Sequence, residues 1–210
     1  MRIFRLFVLA LACFVPPEAL AGADEVRSLV FPSLQIDALR ARGAGVMDEL
    51  VELYNRSDLD QRTEIAGAFY QLGIESRAAK AALWPDLHTE HERLRLAAQW
   101  AIGRVSGDDD VVDALVDNMR RDANALFRDK AACALAHDQM HLNARQKARM
   151  FELVIRSLRS TNPQVRDLSI RVLEIHLGQR KGFRPNGAPE EREAAVQAWL
   201  TWLNEYRAEL

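Results

Sequence analysis

Leu94-Arg95-Leu96-Ala97-Ala98-Gln99-Trp100-Ala101-Ile102-Gly103 is echoed by Phe127-Arg128-Asp129-Lys130-Ala131-Ala132-Cys133-Ala134-Leu135-Ala136, 33 residues further on. Each stretch sets an arginine behind a large apolar residue, then alanines three and six residues later. Working outward, the block recurs at Arg62 and Arg166, so the four arginines stand 33, 33 and 38 residues apart. Three residues on come Ile65, Ala98, Ala131 and Ser169; six on come Ala68, Ala101, Ala134 and Val172; seven on come Phe69, Ile102, Leu135 and Leu173. Offsets of three, six and seven share one face of a helix with 3.6 residues per turn. One helix returning at this period means stacked units, none able to bury its apolar face alone.

A second amphipathic stretch precedes each block. Leu50 and Leu83 are 33 apart and Leu115 and Leu153 are 38 apart, in register with the arginines that follow. The chain therefore predicts four helix pairs: Val46–Asn55 with Asp60–Gly73, Arg77–Leu87 with Glu90–Val105, Asp109–Arg120 with Asn124–Ala136, and Ala144–Arg159 with Pro163–Gly178. Thr89 with Glu92 and Asn143 with Gln146 read as capping boxes. Asn162 before Pro163 reads as an N-cap followed by proline at the first helical position. Gly73, Gly103 and Gly178 fall where helices are expected to stop on a left-handed residue. Ser106-Gly107-Asp108 reads as a turn. No alternating stretch suggests a strand.

These motifs, with Pro163-x-Val165-Arg166, resemble the second-helix signature of HEAT repeats, in particular the short HEAT-like class of bacterial scaffold proteins and phycobilisome lyases. The resemblance covers about residues 45–178, and Ile65 and Ser169 depart from it by replacing the first alanine. It implies an all-α fold, a right-handed α-solenoid of about four helix pairs with helical caps. Small residues at offsets three and six would let neighbouring helices approach, and the larger residue at offset seven would fill the groove. The arginines are expected to form a ladder onto carbonyls or acids at inter-helix turns, with Asp60, Asp86, Asp122 and Asp167 as candidate acids.

The ends read as caps. Residues 22–44 are expected to hold one short irregular helix, within Ser33–Arg42, in a stretch interrupted by Pro32. Residues 179–210 read as a loop with Pro185 and Gly187, then a single closing helix with Arg192, Ala195, Ala198 and Trp199 in repeat register. Trp199, Trp202 and Leu203 form its apolar stripe. This Gly-Phe-Arg-Pro-Asn loop and Trp-x-x-Trp helix resemble closing segments of exported bacterial HEAT-repeat proteins.

Ahead of the array, Arg2 and Arg5 precede an apolar run from Leu6 to Val15 and the small-x-small triplet Ala19-Leu20-Ala21. Residues 1–21 thus read as a secretory signal cleaved before Gly22, which places the chain in the periplasm or outside the cell. An uncleaved anchor is the alternative reading. No later stretch is long and apolar enough to span a bilayer. The formal net charge is −2, with charges spread along the chain, which argues against bulk nucleic-acid binding. Beyond the signal only Cys133 remains, so no internal disulfide is expected, and Cys133 reads as a small buried filler.

Chemistry is sparse. His88 and His91, beside Glu90 and Glu92, and His137 and His141, around Asp138, have spacings that could share a metal. One pair straddles a helix start and the other a helix end, so no metal site is assigned. Only His91-Glu92 matches the repeated His-Glu pairs of di-iron HEAT-like hydroxylases. No nucleophile–base set, phosphate-cradling loop or EF-hand pattern occurs, and no cofactor is implied. The expected role is a non-catalytic scaffold or adaptor gripping a protein or peptide along the second helices. Gln99, Trp100, Arg104, Lys130 and Arg171 are the expected contact residues. The competing reading is a metal-dependent or lyase-like enzyme using the same groove.

Overall fold

The structure, a computed structural model, describes residues 17–43, 45–137 and 140–210, with side chains from residue 22 onward. Residues 1–16 of the expected signal lie outside the described residues. The helices are α1 Pro17–Val30, α2 Ile36–Ala41, α3 Val46–Arg56, α4 Leu59–Leu72, α5 Arg77–Leu83, α6 Glu92–Val105, α7 Asp109–Arg121, α8 Ala125–Ala136, α9 Ala144–Ser157, α10 Pro163–Leu177 and α11 Pro189–Ala208. A 3₁₀ turn, Trp84–His88, continues α5. The fold is all-helical, with no strand among the described residues.

Two rows of contacts organise the packing. In one, α4 meets α6, α6 meets α8, and α8 meets α10. In the other, α1 meets α3, α3 meets α5, α7 meets α9, and α9 meets α11. Within pairs, α3 packs on α4, α5 on α6, α7 on α8 and α9 on α10. One apolar cluster runs from Ala23 to Leu203 between the rows. Ala98, Ala131 and Ala101 are fully enclosed, as are Phe69, Ile102 and Leu135 at offset seven. The small residues admit the neighbouring helix, and the large ones fill the remaining space.

Several boundaries follow the expected capping chemistry. The Asn143 side chain accepts from the Gln146 N–H at 3.0 Å while the Gln146 side chain accepts from the Asn143 N–H at 2.9 Å. Asn162 caps α10 ahead of Pro163. Gly73 and Gly178 end α4 and α10 at φ +61° and +68°, a conformation that costs a side-chain-bearing residue energy.

Other boundaries differ. The expected box at Thr89 is replaced by His91, whose Nδ1 accepts from the Leu94 N–H at 3.3 Å, so α6 starts later than Glu90. The expected helix Arg77–Leu87 leaves α geometry at Leu83 because Pro85 has no N–H to donate to the preceding turn. Gly103 ends no helix. It lies inside α6, where a Cβ would stand 3.2 Å from Met140 Cγ. The N-terminal segment holds two helices instead of one. Ala23, Val26 and Val30 recur at helical spacing and are buried, which seats α1 on α3, while α2 reaches α4. Pro32 separates this pair without ending the array.

The arginines do form a ladder. Arg62 donates to the Tyr54 carbonyl at 3.2 Å and lies 3.5 Å from the Asp86 carboxylate, which also accepts from the Tyr54 hydroxyl at 2.6 Å. Arg95 pairs with Asp122 and stacks 4.1 Å from the Phe127 ring centroid. Arg128 donates to the Asp122 carbonyl at 2.6 Å and to Gln164 Oε1 at 2.9 Å. Arg166 donates to the carbonyls of Ser160, Thr161 and Pro185 at 2.9, 3.0 and 2.6 Å. Arg62 thus joins the end of α3 to the next pair, Arg95 reaches the α7–α8 turn, and Arg128 and Arg166 join their own inter-helix turn to the unit that follows, a task suited to a planar fork of donors. Asp60 and Asp167 are not rungs. The exposed Asp60 faces His91 instead, and the half-buried Asp167 pairs one turn on with Arg171.

The longer third interval arises mainly from the linker after α8, residues 137–143, against residues 106–108 after α6. Two of its described residues are packed. Met140 lies on Gly103, and His141 Nε2 stands 3.0 Å from the Gly73 carbonyl and 2.9 Å from the Arg104 carbonyl. Both neighbours are acceptors, so this nitrogen carries a proton. A Cβ at Gly107 would come within 2.1 Å of the His141 carbonyl oxygen, so glycine permits the close pass.

Helix α11 closes the other end on α9. Trp199 is buried, with Trp202 edge-on at 5.5 Å and Phe151 and Tyr206 beside Trp202. Arg159 to Glu193 at 2.6 Å and Arg207 to Glu152 tie the rim. The Glu193 carboxyl is held down to about 2, first by the Arg159 hydrogen bond and then by Gln197. Its folded value lies below the unfolded one, so its contribution is complete above the ordinary carboxylate range and lost as pH falls toward about 2. The Glu193→Gln variant is expected to show a shallower loss of thermal stability with acidification over that window. Melting curves at a series of acid pH values measure the slope, and the exposed pair keeps the effect small.

Candidate functional site

The row α4, α6, α8 and α10 presents a continuous band of clefts. Between α4 and α6 the lining includes Thr63, Tyr70, Arg93 and Trp100. Between α6 and α8 a cleft of about 150 Å³ is lined by Tyr70, Trp100, Arg104, Cys133, His137 and Met140. The next cleft, between α8 and α10, shares Cys133 and His137 and adds Asp129, Arg171 and Ile175. A last one carries Ile175, Lys147 and Tyr206 toward α11. Trp100 and Ile175 are 40% and 56% exposed, which leaves large apolar side chains in water along one face.

Local chemistry fixes these side chains. Offset five from the repeat arginine points Trp100 away from the core that Ala98, Ala101 and Ile102 enter. Tyr70 supports it at 6.2 Å between ring centroids. Arg104 donates to the Tyr70 carbonyl at 3.1 Å and lies over the Tyr70 ring. The Lys130 ammonium stands 5.9 Å from the Trp100 ring centroid and 3.2 Å from Asp129. Arg171 projects outward, 3.1 Å from Asp167.

Four of the five residues expected from the sequence, Trp100, Arg104, Lys130 and Arg171, therefore lie on or beside this band. Gln99 does not. It is fully buried, and neither its amide oxygen nor its nitrogen finds a partner among the described residues. The cause is visible in the repeat itself. Ala66, Ala132 and Ile170 occupy the same offset of four and are also buried. Helix α6 packs against α4, α5, α7 and α8, which widens its enclosed stripe to include that position. The repeat pattern carries the missed signal, since three of the four residues at that offset are apolar.

Cys133 also departs from expectation. It is half-buried and lines two clefts instead of filling the core. Burial pushes its thiol pKa up, and the nearby Asp129 charge adds to this. Since the thiolate is the nucleophile, alkylation of Cys133 by iodoacetamide at mildly alkaline pH is expected to run about tenfold slower than for a free cysteine. Site-resolved mass spectrometry over time would check it.

Three histidines, His91, His141 and His176, are engaged by backbone or carboxylate, His176 through the Leu135 carbonyl. His91 uses Nδ1 as the α6 cap and sets Nε2 3.3 Å from Asp60. His88 is exposed, His141 faces two carbonyls, and His137 lines the clefts. Asp138, weighed with the second pair, lies outside the described residues. Among the described residues no group of three His, Cys, Asp or Glu side chains comes together as a metal set. No described helix is long and apolar enough to cross a membrane. The chain matches no family model, and a search of curated proteins finds no match.

Proposed function

We propose that the chain is a right-handed α-solenoid of HEAT-like helix pairs acting as a non-catalytic scaffold or adaptor. A protein or peptide partner lies along the band formed by α4, α6, α8 and α10. The two rows of contacts and the arginine ladder support the architectural reading. The observation that carries the functional one is Trp100. A tryptophan held by Tyr70 and Lys130 at the junction of two clefts leaves apolar surface exposed where a partner side chain can cover it. The signal-like N-terminus supports a periplasmic or envelope setting. Cleavage before Gly22 would retain Ala23, Val26 and Val30, the buried side chains that seat α1.

Photocrosslinking tests the reading. A benzophenone amino acid placed at position 100 or 171 in cells that make the protein is expected to capture one shared partner. The same probe at Asn204, exposed on α11, is expected to capture none of it. Equal capture from all three positions would refute the band as the docking face.

A further inference from the structure

We infer that the segment docking on this band is acidic as well as apolar: a stretch of a partner protein that carries carboxylates between its large side chains. The inference rests on the docking reading above and adds the charge of the occupant. The whole chain has 28 Lys and Arg against 30 Asp and Glu. The band reverses that balance. Its four clefts are lined by Arg93, Arg104, Lys147 and Arg171, with Asp129 the single acid among the lining residues. Lys130 adds a further cation at the edge of Trp100, while Glu64 and Asp167, which pair with Arg93 and Arg171, lie outside the lining, so the surplus of positive charge around the band is smaller than within it.

The cations alternate with apolar contact points. Arg93 and Arg104 flank Trp100 on α6, Arg171 stands one turn before Ile175 on α10, and Lys147 borders Tyr206. The cleft beneath Trp100 accommodates about one large side chain. Such spacing fits alternating apolar and acidic residues better than a uniformly charged ligand. The acids that pair with Arg171 and Lys130 are half-buried partners one turn or one residue away, in single ion pairs still open to solvent, so an incoming carboxylate can compete for these cations. Low-dielectric walls around the clefts strengthen the field of the band. Four helices at roughly 10 Å spacing span about 30 Å, the reach of about nine extended residues.

The test uses the full chain and dye-labelled 15-residue peptides read by fluorescence anisotropy. Three peptides share the same leucine and phenylalanine positions and carry glutamate, glutamine or lysine between them. The glutamate peptide is expected to bind about tenfold tighter than the glutamine peptide, with the lysine peptide weakest and the advantage shrinking in high salt. Trp100→Ala should weaken all three, and Arg171→Glu should narrow the preference for glutamate while circular dichroism stays unchanged. Equal binding of the glutamate and glutamine peptides, still weakened by Trp100→Ala, would overturn the acidic inference and leave the docking face standing. Absence of binding, or binding indifferent to Trp100→Ala, would overturn both. A single-stranded oligonucleotide of 15 nucleotides that binds more tightly than the glutamate peptide at the same salt would overturn the inference in favour of nucleic acid.

Discussion

Changing Arg166 to alanine is expected to cost about 3 kcal/mol, because a buried guanidinium is lost and three part-buried carbonyl acceptors lose their donor at once. In this size class that loss corresponds to a fall of roughly 10 °C in Tm. Arg166 is only 8% exposed, and its guanidinium joins the α9–α10 turn at Ser160 and Thr161 to Pro185 in the loop before α11. Burial lowers its pKa, and Arg192 adds a smaller effect of the same sign. The cost of desolvating the charge is already met in the folded protein by these three bonds. Lysine at this position is expected to recover little, since one ammonium cannot reproduce the divergent geometry of the fork. Thermal and urea unfolding of Arg166→Ala and Arg166→Lys would decide it, and a loss below about 1 kcal/mol would reduce the ladder to surface decoration.

Trp199→Ala is expected to be costlier still, at about 4 kcal/mol, the range for deleting a large buried aromatic. The ring is fully enclosed where α11 meets α9, with Trp202 edge-on to it. Its indole nitrogen has no hydrogen-bond partner among the described residues, so the residue contributes through volume and contact. Trp199→Phe should therefore retain more than half of the lost stability. Limited proteolysis should report the same change as early cleavage in residues 179–188, which connect α10 to α11. Wild-type resistance in Trp199→Ala would mean that α11 is dispensable to the array.

The sequence made the helices of the middle of the chain legible because their apolar residues recur at one period and their ends carry strong caps. The boundary errors have local causes. At Thr89 a nearer histidine offered its ring nitrogen to the same helix end. At Gly103 a residue read as a helix stop was serving side-chain clearance for Met140, a contact made by a distant part of the chain. Helix α2 was expected within Ser33–Arg42, but α1 was missed because Pro32 and a short span obscured a spacing that Ala23, Val26 and Val30 do show. The band was partly legible. Trp100 and Arg171 lie at offset five from their repeat arginines, facing out, whereas Gln99 lies at offset four, where a helix flanked on both sides has no outward face. Cys133 shares offset five with Trp100, and the surrounding alanines concealed that.

The linker after α8 has a consequence for how this protein could change in length. Chains held only by adjacent-unit contacts can gain or lose a module by duplication or excision, since every junction resembles every other. Here Met140 and His141 fasten a late segment onto the ends of α4 and α6, and glycines at 103 and 107 provide the bed it rests in. Excising the stretch between them, or inserting a copy of it, would leave this fastening without its counterpart. The middle of the molecule is thereby locked to one size, and variation in length is left to its two ends.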